Sequence, residues 1–270
     1  MKASFSLDSR TISYLDTGAA TTSPPGSRVL VLLHAFPLSA RMWAPQMEAV
    51  PPGWRFLAPD LAGLGETDDR AGEPSMDDYA ADVVAILDHL HIADVVLGGL
   101  SMGGYAALAV LRLAPERVRA LVLADTRPQA DTDEGRRSRR AMLARVDEGG
   151  VAALAEDMIP MLLSARMRAE KPDVERQVRR LIRGNRPEGI RAAVRRIMSR
   201  PDSTTLVRGL EMPVLILNGE EDTVTPVAAA REMQAMIAGS SLVVIPGAGH
   251  LSNMEQPDLF NGALAAFLAE

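Results

Sequence analysis

The chain has 270 residues, of which 47% are hydrophobic and 24% charged, with no cysteine and a formal net charge of −6. That balance belongs to a folded chain with a sizeable core and excludes a disordered tail or a coiled coil, while the missing cysteines exclude disulfides, thiolate metal sites and a thiol nucleophile. The acidic excess argues against a nucleic acid partner, because phosphate backbones attract strongly basic faces.

Ala3–Leu7 and Thr11–Leu15, on either side of Asp8-Ser9-Arg10, read as a β-hairpin. The residues after Lys2 are too polar and too few for the apolar region of a signal peptide, so a cytoplasmic location is expected. A Pro/Gly/Ser loop follows at Thr21–Ser27. Val29–Leu33 is a continuous apolar run of the kind buried on both faces of a parallel sheet, and the same character returns at Val95–Leu97, Ala120–Leu123, Val214–Leu217 and Leu242–Ile245. Asp60 ends one more strand. Helical periods fall between these runs at Asp78–Leu90, Tyr105–Leu113, Val227–Ile237 and Pro257–Leu268. The longest uncharged stretch, Val95–Leu111, is broken by glycines and falls short of the roughly 20 apolar residues that a bilayer requires, so no membrane partner is expected. Alternating strands and helices predict an α/β fold, a mostly parallel central sheet with helices on both faces.

Between Arg127 and Arg208 the alternation stops. Glu134–Val146, Val151–Met158, Asp173–Arg183 and Glu188–Ser199 read as helices with no strand between them, punctuated by Gly149, Gly184 and Pro187. This stretch holds 19 basic and 12 acidic residues, against ten and 23 in the remainder. Pattern and charge together mark 127–208 as a helical cap inserted into a core of 1–126 and 209–270. Arg136-Arg137-Ser138-Arg139-Arg140 is either a solvated helix face or a patch that concentrates an anionic substrate. Met158, Met161, Leu162, Ile182, Ile197 and Met198 either pack the cap helices together or line an apolar acyl pocket.

Gly99-Leu100-Ser101-Met102-Gly103 sits where a strand turns sharply into a helix. Such a turn leaves no room for side chains two residues before and after the serine, and glycines stand at both positions. The N-terminal N–H groups of the following helix point at the serine oxygen, which makes Met102 N–H a candidate oxyanion donor. A serine hydroxyl needs a base, and the base needs an orienting acid. Of the four histidines, His89 and His91 close a surface-type helix and His34 ends a strand; His250, after the Gly247-Ala248-Gly249 loop, is the best-placed base. Asp125 and Asp222 compete for the acid, and the chain order Ser, Asp, His favours Asp222. Asp60, in Pro59-Asp60-Leu61-Ala62-Gly63, is read as fixing a turn. The histidines lack metal-ligand spacing, so neither a metal nor another cofactor is expected.

Over nearly its whole length outside the cap, the chain resembles the α/β-hydrolases. His34-Ala35-Phe36-Pro37 resembles their oxyanion loop, which implies Phe36 N–H as the second oxyanion donor and a structural role for His34. Ala35 stands where that family usually has glycine. Gly219–Pro226 resembles the acid loop, and Gly249-His250 followed by Glu255-Gln256-Pro257 resembles the histidine loop. The Ala124-Asp125-Thr126 segment and the spacing are most similar to the enol-lactonase and carboxylesterase branch. The resemblance implies a cofactor-free serine hydrolase acting on a small ester or lactone through an acyl-enzyme, with Ser101 as nucleophile, His250 as base and Asp222 as its orienting acid. The same residues would also suit a perhydrolase similar to cofactor-free haloperoxidases, or a non-catalytic receptor for a small molecule. Nothing in the sequence sets an oligomeric state.

Overall fold

In the computed structural model, which describes residues 1–18 and 28–270, the opening hairpin is formed by β1 (Lys2–Leu7) and β2 (Arg10–Asp16). Leu7 pairs with Arg10, so the turn consists of Asp8 and Ser9 alone, both at positive φ, as a two-residue hairpin loop that follows the strand twist demands. The loop expected at Thr21–Ser27 lies outside the described residues. The chain continues as β3 (Arg28–Leu33), the short α1 (Ala44–Glu48), β4 (Trp54–Pro59), α2 (Met76–His89), β5 (Val95–Leu100), α3 (Met102–Leu113) and β6 (Val118–Ala124). Five helices follow without an intervening strand: α4 (Asp133–Leu162), α5 (Ala165–Glu170), α6 (Pro172–Arg183), α7 (Pro187–Ser199) and α8 (Thr204–Arg208). Then come β7 (Val214–Gly219), α9 (Val227–Met236), β8 (Ser241–Ile245), the single turn α10 (Ser252–Glu255) and α11 (Pro257–Ala269).

The eight strands form one sheet in the order β1-β2-β4-β3-β5-β6-β7-β8, antiparallel at β1-β2-β4 and parallel from β4 onward. β5 and β7 are buried along their whole length, and β3 and β6 nearly so, which is why their sequences are continuous apolar runs and not alternating ones. β5 extends three residues beyond the apolar run, through Gly98 and Gly99 to Leu100. Backbone pairing of Gly98 and Gly99 with Leu32 and Leu33 needs no side chain, so composition understates the strand.

α4 bends at Gly150, whose φ of 68° and ψ of −172° lie outside helical space; the break expected at Gly149 is therefore displaced by one residue. Arg196 of α7, fully buried, donates to Asp78 Oδ2 at 2.9 Å and to Asp69 Oδ1 at 2.7 Å, tying α7 to the start of α2. Asn185 Nδ2 donates to Pro37 O at 2.8 Å and its Oδ1 accepts from Gly65 N at 2.8 Å. The helices between β6 and β7 are thus held over the loops that follow β3 and β4. Among the described residues no helix is long and apolar enough to cross a membrane.

Candidate active site

The carboxyl ends of β3, β5, β7 and β8 bring Phe36, Ser101, Asp222 and His250 to one edge of the sheet, where a parallel sheet assembles its sites. Ser101 occupies the turn between β5 and α3 at φ 55° and ψ −113°, a conformation that costs a non-glycine residue about 1–3 kcal/mol and persists only when its surroundings enforce it. The enforcement is visible. Ser101 N donates to Ala124 O at 2.9 Å, and Thr126 Oγ1 donates to Ser101 O at 2.9 Å, fastening the turn to the end of β6. A methyl on Gly99 would land on the Gly103 carbonyl, and one on Gly103 would land on the Leu33 carbonyl, so the strand and helix approach closely only because both positions are glycine.

His250 is 2% exposed, and its Nδ1 lies 2.8 Å from Asp222 Oδ2. Burial works to raise the Asp222 pKa, but the neighbouring imidazole and the hydrogen bonds from His250 and Thr225 prevail and hold the carboxyl below its usual range. Asp222 is therefore an acceptor, Nδ1 carries the proton, and Nε2 is left as the basic nitrogen. Burial works to lower the His250 pKa; the Asp222 charge and hydrogen bond outweigh it and place it above the ordinary value. Ser101 and His250 line one cavity. No hydrogen bond among the described residues joins Ser101 Oγ to the ring. Phe36 lines the same cavity, Met102 opens α3 beside Ser101, and the backbone N–H groups of both residues donate to no protein acceptor among the described residues. Ala35 is not among the residues at positive φ, so a β-carbon is tolerated where the resembling family has glycine.

The other candidates resolve by their contacts. His34 is wholly buried, its Nδ1 3.0 Å from Ala35 O while Nε2 accepts from Leu61 N at 3.0 Å, and burial keeps its pKa low. Asp60 accepts from Ala40 N at 2.8 Å and Glu66 N at 3.0 Å, the turn-fixing arrangement. His89 and His91 are exposed, with His89 stacked on Phe5. Asp125 makes no hydrogen bond to His250 among the described residues. Its Oδ1 accepts from Gly219 N at 2.7 Å and its Oδ2 from Ser252 Oγ, which links the loop carrying Asp222 to the one carrying His250. Of the apolar candidates, Met158, Met161, Leu162 and Ile197 line the cavity, whereas Ile182 is not on its wall and packs fully buried in the core cluster.

Several contributors were not singled out from sequence. Thr225 Oγ1 donates to Asp222 Oδ2 at 2.6 Å and its N–H to Oδ1 at 3.0 Å, fixing the carboxylate in the plane the imidazole needs. Glu255 accepts from Gly249 N at 2.9 Å and, across 91 residues, from Ser164 N at 3.1 Å, while Leu251 N donates to Leu162 O at 3.1 Å. Arg127 and Tyr105 join the cavity wall, beside Arg139 from the basic cluster that the sequence offers as a solvated face or an anion-concentrating patch. Among the described residues no group of three or more His, Asp or Glu side chains is placed to hold a metal ion.

Burial, reinforced by the Asp222 charge, pushes the Asp125 carboxyl up to about 8. The folded chain therefore keeps a proton there that an unfolded carboxyl, titrating near 4, has released, and stability drains away as pH rises between those values. Asn at this position cannot ionise and retains the acceptor for Gly219 N. The melting temperature of Asp125→Asn relative to wild type should therefore climb from pH 5 to pH 8 and level off above, as followed by scanning calorimetry.

A family model described as alpha/beta hydrolase fold matches residues 28–257. A thermophilic esterase from Thermogutta terrifontis, solved with malate bound, superposes with a TM-score of 0.91 and 35% identity over 100% of this chain and 98% of that one. The chain is 26% identical to 3-oxoadipate enol-lactonase 2 of Acinetobacter baylyi, over 92% of its own length and 91% of the relative's. It is 28% identical to a non-heme haloperoxidase of Rhodococcus erythropolis, over 97% of each chain.

Proposed function

We infer that this chain, which belongs to the alpha/beta hydrolase fold family, is a serine hydrolase that cleaves a small carboxylic ester or lactone through an acyl-enzyme on Ser101. The observation that carries this reading is the pairing of a buried, oriented imidazole with a serine held in a strained turn on the same cavity. Ser101 Oγ attacks the carbonyl carbon as its proton passes to His250 Nε2, and Asp222 stabilises the imidazolium. The oxyanion accepts from the Phe36 and Met102 N–H groups, where losing one donor costs about a hundred- to a thousandfold in rate. Collapse breaks the ester C–O bond and His250 returns its proton to the departing oxygen. Water, deprotonated by His250, then attacks the acyl carbon and releases the acid and Ser101. In a lactone the departing oxygen stays attached to the acyl group, and the product is a single hydroxy acid.

A fluorophosphonate probe tests this directly. It should label one residue, Ser101, in proportion to the loss of p-nitrophenyl acetate hydrolysis; labelling elsewhere, or hydrolysis that survives complete labelling, rejects the reading. The haloperoxidase likeness supports one second reading, in which hydrogen peroxide replaces water and the acyl-enzyme yields a peracid. Halide-dependent bromination of a dye, requiring both acetate and peroxide, distinguishes it from hydrolysis.

A further inference from the structure

Two guanidinium groups, those of Arg127 and Arg139, stand on the wall of the cavity that holds Ser101 and His250, and no carboxylate shares that wall. The acid nearest to them is Asp131, whose side chain is completely buried behind the wall. Three arginines converge on it: Arg139 Nε at 3.1 Å, Arg200 Nη1 at 2.8 Å and Arg127 Nη2 at 3.6 Å. Arg200 is spoken for, since it also donates to Ile197 O at 2.8 Å and Gln129 O at 2.9 Å and stacks on Tyr105. Arg139 spends Nε on Asp131 and Nη1 on the sulfur of Met142 at 3.7 Å, which leaves Nη2 to present. Arg127 makes no hydrogen bond among the described residues, and its Nε is buried without a partner. One buried carboxylate therefore faces three guanidiniums, and the surplus positive charge lies on the cavity side. Apart from Ser101, His250, Tyr105 and Thr225, the rest of the wall is apolar, dominated by Met142, Met158, Met161, Leu162 and Ile197.

A buried donor without a partner is costly unless a ligand completes it, and Arg127, with a side chain 35% exposed, keeps the rest of its fork open to one. The planar fork of arginine fits a carboxylate edge to edge. Resting on the hydrolase reading above, we propose that the substrate carries a free carboxylate besides its scissile ester or lactone, joined to it by an aliphatic spacer, and that Arg127, with Arg139, binds that carboxylate. The methionines and leucine cover the spacer, and the carboxylate reaches the arginines while the carbonyl rests on Ser101.

Matched ester pairs test it. On the acyl side, the monoethyl esters of succinate, glutarate and adipate are compared with the ethyl esters of butanoate, pentanoate and hexanoate. On the alcohol side, 4-acetoxybutanoate is compared with butyl acetate. In at least one pair the anionic member should have a kcat/KM roughly ten- to a hundredfold higher, the range of a charge-assisted hydrogen bond, and the advantage should shrink as sodium chloride is raised. Arg127→Gln should bring that ratio down towards one, and Arg127→Lys should recover only part of it. Ratios at or below one in every pair, or a preference that survives Arg127→Gln, overturn the proposal while leaving a working hydrolase. If no ester of either kind turns over, it is the hydrolase reading that fails. Calorimetric binding of adipate then decides the anion site alone: saturable binding that Arg127→Gln weakens at least tenfold upholds it, and no binding by wild type overturns it.

Discussion

Ser101→Ala is expected to lower kcat for ester hydrolysis by about a millionfold, to the level left by binding and the oxyanion donors, because the serine and the imidazole work as one unit. The fold should persist, since the alanine β-carbon occupies the space of the serine's and the backbone bonds from Ser101 N and O do not involve the side chain. Ser101→Gly separates the chemistry from the strain. It should be equally inactive, yet unfold at a higher temperature than Ser101→Ala, because only glycine adopts φ 55° without steric cost. Relief of about 1–3 kcal/mol of strain is offset by about 0.5–1 kcal/mol from the more flexible unfolded chain. Circular-dichroism melts of the two variants side by side read the difference; equal or reversed melting temperatures would show that the turn is relaxed with a side chain present.

Asp222→Asn should reduce kcat by about four orders of magnitude with little change in fold. The amide can still accept from Val224 N and Thr225 N, but the group facing His250 Nδ1 is now able to donate, which favours the tautomer with its proton on Nε2, where the base is needed. The pH profile should move with it. In the wild type the Asp222 carboxylate holds the His250 pKa above its ordinary value, so kcat/KM should fall as pH drops through a point above about 6.5. Removing that negative charge leaves burial as the dominant influence on the ring, and the acid limb of the residual activity should shift to lower pH. A limb that stays in place would mean that a different group titrates.

The parts of this architecture that steric necessity dictates could be read from sequence. Glycine two residues to either side of Ser101 has a single physical reason, the collision that any β-carbon there would make, and it locates the turn to the residue. Long apolar runs locate β3, β5, β6 and β7 for a similar reason, since a strand covered on both faces has no use for polar residues, whereas the run Leu242–Ile245, read the same way, lies in the edge strand β8, where only Ile245 is buried. What stayed hidden depends on contacts between distant parts of the chain. Periodicity cannot tell which of Gly149 and Gly150 breaks the helix, and runs of five or six residues such as Ala165–Glu170 and Thr204–Arg208 are too short to show a period. Of the basic cluster from Arg136 to Arg140, only Arg139 turns to the cavity, a choice set by how α4 lies on its neighbours and not by composition. Arg127 stood in plain sight after β6, but that its Nε is buried with no hydrogen-bond partner is a property that exists only once the chain has folded.

Glu255 gives the helices between β6 and β7 a part in holding the histidine. By clasping Ser164 N and Gly249 N together, with Leu251 N bonded to Leu162 O beside it, it makes a short length of backbone at the end of α4 a structural neighbour of the loop that aims His250. The segment between β6 and β7 is therefore not a module that can be exchanged wholesale. Its wall side chains can diversify one at a time and retune which molecules are admitted, whereas grafting in foreign helices must reproduce the backbone from Leu162 to Ser164 or leave the imidazole badly aimed. Engineering for new substrates is best confined to the methionines and arginines of the wall, with that clasp left untouched.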